Sequence, residues 1–205
     1  MKTLYLDCMH GARKDSFAIG VGQLLAQEER QRIAQAAGVE QTQADDCCGA
    51  DHRHHHSVTE VREKIAAKQL SEAERAAAFG VYEVLARAEA KAHSVSIDEV
   101  HFHEVGSDEA ITWVCIACAS VLAVGAETIV ASPVCTGFGF VDCAHGTLPI
   151  PAPATANVLE GAPSFAGDVE GELTTPTGAA LVRYFASAFC DKAPEDAVWI
   201  AHVGA

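Results

Sequence analysis

Segments of period two and segments of period 3.6 alternate along this chain, and that alternation constrains its fold more than any other feature. Thr3 to Cys8 alternates apolar and polar residues, as a strand does. A turn, Met9 to Lys14, leads into a helix predicted from Asp15 or Ser16 to about Ala37, with Gly38 placed to close it in the left-handed region. Capping-box spacings at Ser57–Glu60 and Ser71–Glu74 predict helices over about 57–67 and 71–93. A short strand is expected within Val100–Glu104, then an apolar helix from Asp108 to about Val124 and a buried strand from Glu127 to Val134. Pro149, Pro151 and Pro153 lead into a helix near 152–160. A helix with Pro176 in its first turn should run to about Phe189, before a last strand from Ala197 to Val203. Strands separated by helices build an α/β domain. We expect a single domain over 1–205, with a mixed, mostly parallel sheet and flanking helices. With 205 residues, 49% of them hydrophobic, the chain can bury one good core.

One stretch breaks the alternation. From Val39 to His56 no large apolar residue follows Val39, so the segment has too little to bury to offset its ordering entropy and is expected to be a mobile loop. It carries a cluster that packing does not require. His52, His54, His55 and His56, four of the ten histidines, fall within five positions, with Asp45, Asp46, Cys47 and Cys48 just upstream. Neutral imidazole is a common ligand for nickel, zinc, cobalt and copper. The Ser57 cap places the tract before the positive end of a helix, which disfavours imidazolium and favours the metal-binding form. Mobile ligands do not fix coordination geometry, so the tract suits metal capture or delivery better than catalysis. The plain alternative is a solvated loop with incidental metal affinity.

Three further patterns are candidates. Period two within Val100–Glu104 would put His101 and His103 on one strand face, able to share a metal, with Glu104, Asp108 and Glu109 close by; two half-buried histidines bonded to backbone are an even alternative. Thr174-Thr175-Pro176-Thr177-Gly178 could receive an anion at a helix N-terminus, or could be an ordinary capped helix. Cys115 and Cys118, spaced C-x-x-C inside an apolar run, read as core thiols. The formal charge of −14 disfavours nucleic acid and anionic membrane surfaces and favours cations. No apolar run is long enough for a transmembrane helix, and the early Asp7 does not suit a signal peptide, so a reduced cytoplasmic protein is expected.

Three stretches resemble one family: Glu99-Val100-His101-Phe102-His103-Glu104-Val105-Gly106, the Pro-containing run from Cys143 through His145 to Thr155, and Gly171-Glu172-Leu173-Thr174-Thr175-Pro176-Thr177-Gly178-Ala179-Ala180. With the interior His-rich loop, they are similar to the LarC family of nickel-insertion proteins. The resemblance implies Ni(II) as the metal and the precursor of a nickel-pincer cofactor, pyridinium-3,5-bisthiocarboxylic acid mononucleotide, as the partner. It also implies a CTP-dependent cyclometallase reaction of the lyase class that forms nickel–carbon and nickel–sulfur bonds. Two departures stand out. The family's first loop has the pattern D-x-x-x-G-I-S-G-D-M; here Asp7, Gly11 and Asp15 remain, but Ala12, Arg13, Lys14 and Ser16 fill the other positions. Glu109 and Trp113 stand where the family often has two aspartates. The chain resembles only the N-terminal region of the family, so CTP would enter only with a C-terminal LarC-like polypeptide.

The resulting expectation is an N-terminal component of a nickel-insertion system. Asp7, Asp15, His101, His103 and Glu104 are its candidate catalytic residues. Thr174, Thr175, Thr177 and Gly178 would bind the cofactor precursor, and His52, His54, His55, His56, His101, His103 and His145 are candidate metal ligands. A homo-oligomer is left open. The alternatives are a non-catalytic nickel-binding or storage protein, a divergent scaffold paralogue, and a metal-dependent hydrolase built on His101 and His103.

Overall fold

The computed structural model describes residues 2–39, 56–143, 146–195 and 197–204. The predicted mobile loop, with His52, His54, His55, Cys47 and Cys48, therefore lies outside the described residues, and so does His145. The first strand, β1 (Thr3–Asp7), forms as expected. The single helix predicted after it is two, α1 (Lys14–Gly22) and α2 (Gln27–Ala36). Glycines at 20 and 22 weaken the last turn of α1. Gly20 also lets the helix press on the sheet, because a Cβ there would overlap the His202 carbonyl. Gly38, at φ +85°, ends the second helix as the sequence predicted.

Local signals gave the next helices accurately. After β2 (His56–Ser57), α3 (Val58–Ala66) and α4 (Glu72–His93) start on full capping boxes. Glu60 Oε2 accepts the Ser57 N–H at 2.6 Å, and Ser57 Oγ accepts the Glu60 N–H at 3.2 Å. Ser71 and Glu74 repeat the exchange. Each cap contributes about 1 kcal/mol. The next strand, β3 (His101–Phe102), is only two residues long and pairs antiparallel with β2. It ends at Phe102, and His103 turns away at φ −89°, ψ −102° into a 3-10 turn over Glu104–Gly106. The expectation that His101 and His103 share a strand face is thus corrected. Phe102 is buried edge-on to Tyr82, and closure of that contact ends the strand.

Helix α5 (Asp108–Val124) is capped by Ser107 and closed by Gly125, and it buries Cys115 and Cys118 completely, as predicted for core thiols. The predicted buried strand shortens to β4 (Thr128–Ala131). Short pieces follow: β5 (Val134–Cys135), β6 (Gly137–Phe138), and a hairpin of β7 (Phe140–Cys143) and β8 (Gly146–Pro149). Next come α6 (Pro153–Val158), β9 (Ser164–Phe165), β10 (Gly171–Glu172) and α7 (Pro176–Phe185). The predicted extension of α7 to Phe189 is corrected. The helix stops at Phe185, and β11 (Ala188–Phe189) pairs beside β4 before the final β12 (Ala197–His202).

The main sheet has the order β11-β4-β1-β12 and is parallel throughout; the antiparallel pairs lie in separate two-stranded ladders. From β1 to β4 to β11 the chain steps in one direction, so right-handed connections put both helical segments on one sheet face. Leu4 and Leu6 of β1, with Ala131 and Ala201 beside them, pack into the same core as Phe17, Val21, Leu85 and Leu181. Each large aliphatic or aromatic side chain buried there stabilises by about 1.5–3 kcal/mol. The chain then reverses to reach β12 on the far side of β1. Among the described residues, no helix is long and apolar enough to cross a membrane.

Candidate functional site

The reversal between β1 and β12 creates a topological switch point, where open parallel sheets bind ligands beyond the carboxyl ends of their strands. The loop leaving β1 occupies this place and is tied down from three sides. The Arg13 N–H donates to the Val203 carbonyl at 3.2 Å, just past β12. The Ala12 N–H donates to the Thr174 hydroxyl at 3.0 Å, and the Ala12 carbonyl accepts the Thr175 N–H at 3.1 Å. Gly11 sits at φ +100° with the Leu173 carbonyl where its Cβ would be. Gly178, in the first turn of α7, is packed as closely on the Ala12 carbonyl. Sequence-distant stretches are thereby stitched together, and Arg13 and Lys14 stand beside the start of α7.

A cavity of about 420 Å3 opens at this junction. Its walls include Arg13, Lys14, Thr175, Pro176 and Thr177, together with His93, His103, Glu104, Glu89 and Glu172. The β7–β8 hairpin contributes Asp142, Cys143 and Leu148. The volume suits a small organic ligand. Burial raises the Glu172 carboxyl above its ordinary value; nearby Arg13 opposes that shift and Glu104 adds to it. Burial likewise raises Glu89, opposed by His93, whose Nε2 lies 3.6 Å from the Glu89 carboxylate. The cavity therefore brings the basic side chains of Arg13 and Lys14 together with carboxyls whose charged form burial disfavours and with the imidazoles of His93 and His103.

Four predicted site residues converge here: His103, Glu104, Thr175 and Thr177. Thr175 also caps α7, its Oγ1 accepting the Gly178 N–H at 3.2 Å. The others fall elsewhere. Thr174 is fully buried, accepting from Ala12 and donating to the Cys135 carbonyl at 2.6 Å, so its hydroxyl is occupied by the scaffold. Asp7 accepts the Met9 N–H at 3.0 Å and pairs with His202 Nδ1 at 2.9 Å. Asp15 lies 3.9 Å from the Arg13 guanidinium, half-buried on the first turn of α1. His101 is exposed on β3 and does not line the cavity. His56, the one described histidine of the tract, sits on β2 with Nδ1 3.5 Å from Lys64 Nζ, and Lys64 in turn pairs with Asp108 at 2.7 Å. Among the described residues, no three His, Cys, Asp or Glu side chains gather as a metal-holding group.

The sequence marks Arg13 and Lys14 only as departures from a loop pattern, whereas the structure places both on the cavity wall. Sequence reasoning missed His93, Glu89 and Glu172. His93 and Glu89 share one face of α4 at i, i+4 spacing, a signal that was present but common to many solvated helices. A second hollow, about 660 Å3, lies between α1, α2 and α5 and is lined by Ile19, Ile33, Val39, Trp113 and Ile116. It is larger but nearly all apolar, so it offers little chemistry. Trp113 lies there, and Glu109, on its rim, pairs with Lys14 at 3.2 Å.

Comparison with known proteins gives a consistent result. The family model described as nickel insertion protein matches residues 4–205. A "Pyridinium-3,5-bisthiocarboxylic acid mononucleotide nickel insertion protein" of a Nocardioides species is 43% identical over 154 residues, covering 75% of this chain and 38% of the relative. The protein of the same description from Desulfitobacterium hafniense is 35% identical over 206 residues, covering 92% of this chain and 51% of the relative. A "Putative nickel insertion protein" of Dictyoglomus thermophilum is 34% identical, covering 91% of this chain and 52% of the relative. The chain thus spans about half the length, or less, of these relatives. No solved structure gives a significant match.

Proposed function

The chain belongs to the nickel insertion protein family, the LarC family, and from that premise we propose that its cavity receives the pyridinium-3,5-bisthiocarboxylic acid mononucleotide for loading with Ni(II). One observation carries the reading: a cationic pair, Arg13 and Lys14, meets the α7 start and the imidazoles of His93 and His103 in one hollow of ligand size. The phosphate is the group that Arg13 and Lys14 would hold, with the Thr175 and Thr177 end of α7 beside them. His103 and Glu104 then lie on the wall that faces the pyridinium ring. Ni(II) is the cargo. The tract of His52, His54, His55 and His56 gathers it, and His101, His103 and His145 are the ligands through which it passes to the cavity. Asp7 and Asp15 act on the first loop, Asp15 by steadying Arg13 and Asp7 by holding the turn at Met9. CTP-dependent chemistry belongs to the further polypeptide region that the longer relatives carry.

The test is calorimetric titration of the chain with that mononucleotide. Arg13→Ala removes one charge-assisted contact worth roughly 1.5–3 kcal/mol, so affinity should fall about 10- to 150-fold. A wild-type chain that does not bind the mononucleotide, or an Arg13→Ala variant that binds it equally well, refutes the reading. A second reading is a nickel-binding or storage protein, or a scaffold, that performs no insertion. Trp113 favours it: this residue stands where the family pattern has an aspartate and faces the apolar hollow. Tight nickel binding with no affinity for the mononucleotide would select that alternative.

A further inference from the structure

The main sheet is parallel, and parallel sheets are ordinarily covered on both faces. Here the helices cover one face only. Residues aligned across a parallel ladder share a face, so Tyr5, Ile200, Val130 and Ala188 form a row across the four strands on the side away from Leu4 and Leu6. Ile129, Trp199 and Phe189, on the helical side, pack against the core; Tyr5, Val130, Val198 and Ile200 do not belong to it. On the far face the Tyr5 hydroxyl donates to the Cys190 carbonyl at 3.5 Å, and Tyr5 and Val130 are buried. Towards the β12 edge the same face is open: Val198 is 56% exposed and Ile200 47%.

The same strand is a sheet edge. Among the described residues nothing pairs with the outer side of β12. The opposite edge, β11, is blunted by being two residues long. In contrast, β12 runs six residues, Ala-Val-Trp-Ile-Ala-His, with no lysine, proline or carboxylate. Natural edges of this length normally carry such a protecting residue, because open main-chain donors and acceptors beside aliphatic side chains recruit another strand.

We propose that the β12 edge, with Val198 and Ile200, is a docking surface for the polypeptide region that supplies the rest of the relatives' length, and that this region extends the sheet by pairing with β12. This rests on the reading of the chain as one component of a nickel-insertion system. Two facts select the occupant. About half of each longer relative lies outside the matched part, so a body of comparable size always accompanies this fold there. A second copy of the chain is disfavoured because each carries a formal charge of −14.

The experiment titrates the intact chain with the unmatched region of the Desulfitobacterium hafniense relative. It follows affinity by calorimetry and amide protection by hydrogen exchange. Binding is expected, with new protection at residues 197–202, and Val198→Glu and Ile200→Glu should each weaken it at least tenfold while leaving the thermal melt unchanged. Ile19→Glu, exposed on α1 on the helical face of the sheet, should bind as wild type. Absence of binding, protection confined to other segments, equal affinity of the Val198 and Ile200 variants, or self-association of the chain alone through β12 overturns the proposal. Mononucleotide titration of the same variants separates the two readings: neither Val198 nor Ile200 lines the cavity, so retained ligand binding leaves the proposed function standing even if docking fails.

Discussion

Replacing Thr174 by valine removes one hydroxyl and leaves the side chain's shape nearly unchanged, which makes it a sharp test of how the candidate site is held. The hydroxyl has two partners, the Ala12 N–H at 3.0 Å and the Cys135 carbonyl at 2.6 Å. Ala12 keeps a second acceptor in the Leu173 carbonyl at 3.2 Å, so that donor loses only part of its bonding. The Cys135 carbonyl loses a partner in a buried setting, which costs about 1–3 kcal/mol. Together the change should destabilise the fold by about 2–3 kcal/mol, a fall in Tm of roughly 4–12 °C for a chain of this length. Thr174→Ser keeps the hydroxyl and loses one methyl group, so it should cost only about 1 kcal/mol. Thermal melts and urea titrations read the stability, and calorimetry reads mononucleotide affinity well below the melting range. Thr174→Val should melt early and bind normally; Thr177→Val, on the cavity wall, should weaken binding more than it lowers the Tm. If Thr174→Val melts like wild type, or loses the ligand without losing stability, the assignment of Thr174 to the scaffold is wrong.

Three further outcomes follow from the structure. Gly178→Ala drives a Cβ into the Ala12 carbonyl and should destabilise by about 1–3 kcal/mol while also shifting the first loop, so mononucleotide affinity falls with the Tm. Burial alone would raise Glu74, but bonds from Arg32, at 2.8 Å, and from Ser71 outweigh it and hold the carboxyl below its ordinary value of 4.5. A depressed folded value means this contribution is fully present above the ordinary value and is lost as pH falls through the lowered one; Glu74→Gln should therefore flatten the acid limb of the stability curve. Burial pushes the Cys8 and Cys115 thiols up to about 12, with Asp7 adding to the shift at Cys8. Iodoacetamide at pH 8 should therefore modify half-exposed Cys143 well before either, as peptide mass spectrometry will show.

What the sequence disclosed depended on how local the signal was. The capping boxes at Ser57 and Ser71 are four-residue patterns whose bonds close within the pattern, and both helices begin where they say. Gly38, Gly125 and Pro176 likewise act through their own backbone. The errors came where a distant partner decided the outcome. Leu181 to Phe189 is mostly apolar, broken at Arg183 and Ser187, and pairing beside β4 turns its last residues from helix to strand. The two-residue β3 is cut short by the packing of Phe102 on Tyr82, and so His101 and His103 part. The candidate site shows the same division. Thr175 and Thr177 reach the cavity through a helix start, which is a local event, whereas Arg13 and Lys14 are placed on its wall by bonds of the first loop to Leu173, Thr175 and Val203. Thr174 belongs in sequence to the same helix start, but in space its hydroxyl joins the first loop to Cys135.

The pairing of β12 with β1 also has a consequence for synthesis. The first strand emerges from the ribosome early, yet one of its two neighbours in the sheet is made of residues 197–202. Contacts of such long sequence separation slow folding, because the intervening chain must be ordered before they form. The Arg13 amide takes its acceptor from Val203, so the first loop beside the cavity cannot be set until residue 203 has been translated. A nascent chain halted before residue 197 should thus hold the helices in a loose assembly without ligand affinity. Competence should then appear in one late step, which a series of stalled chains of increasing length would record.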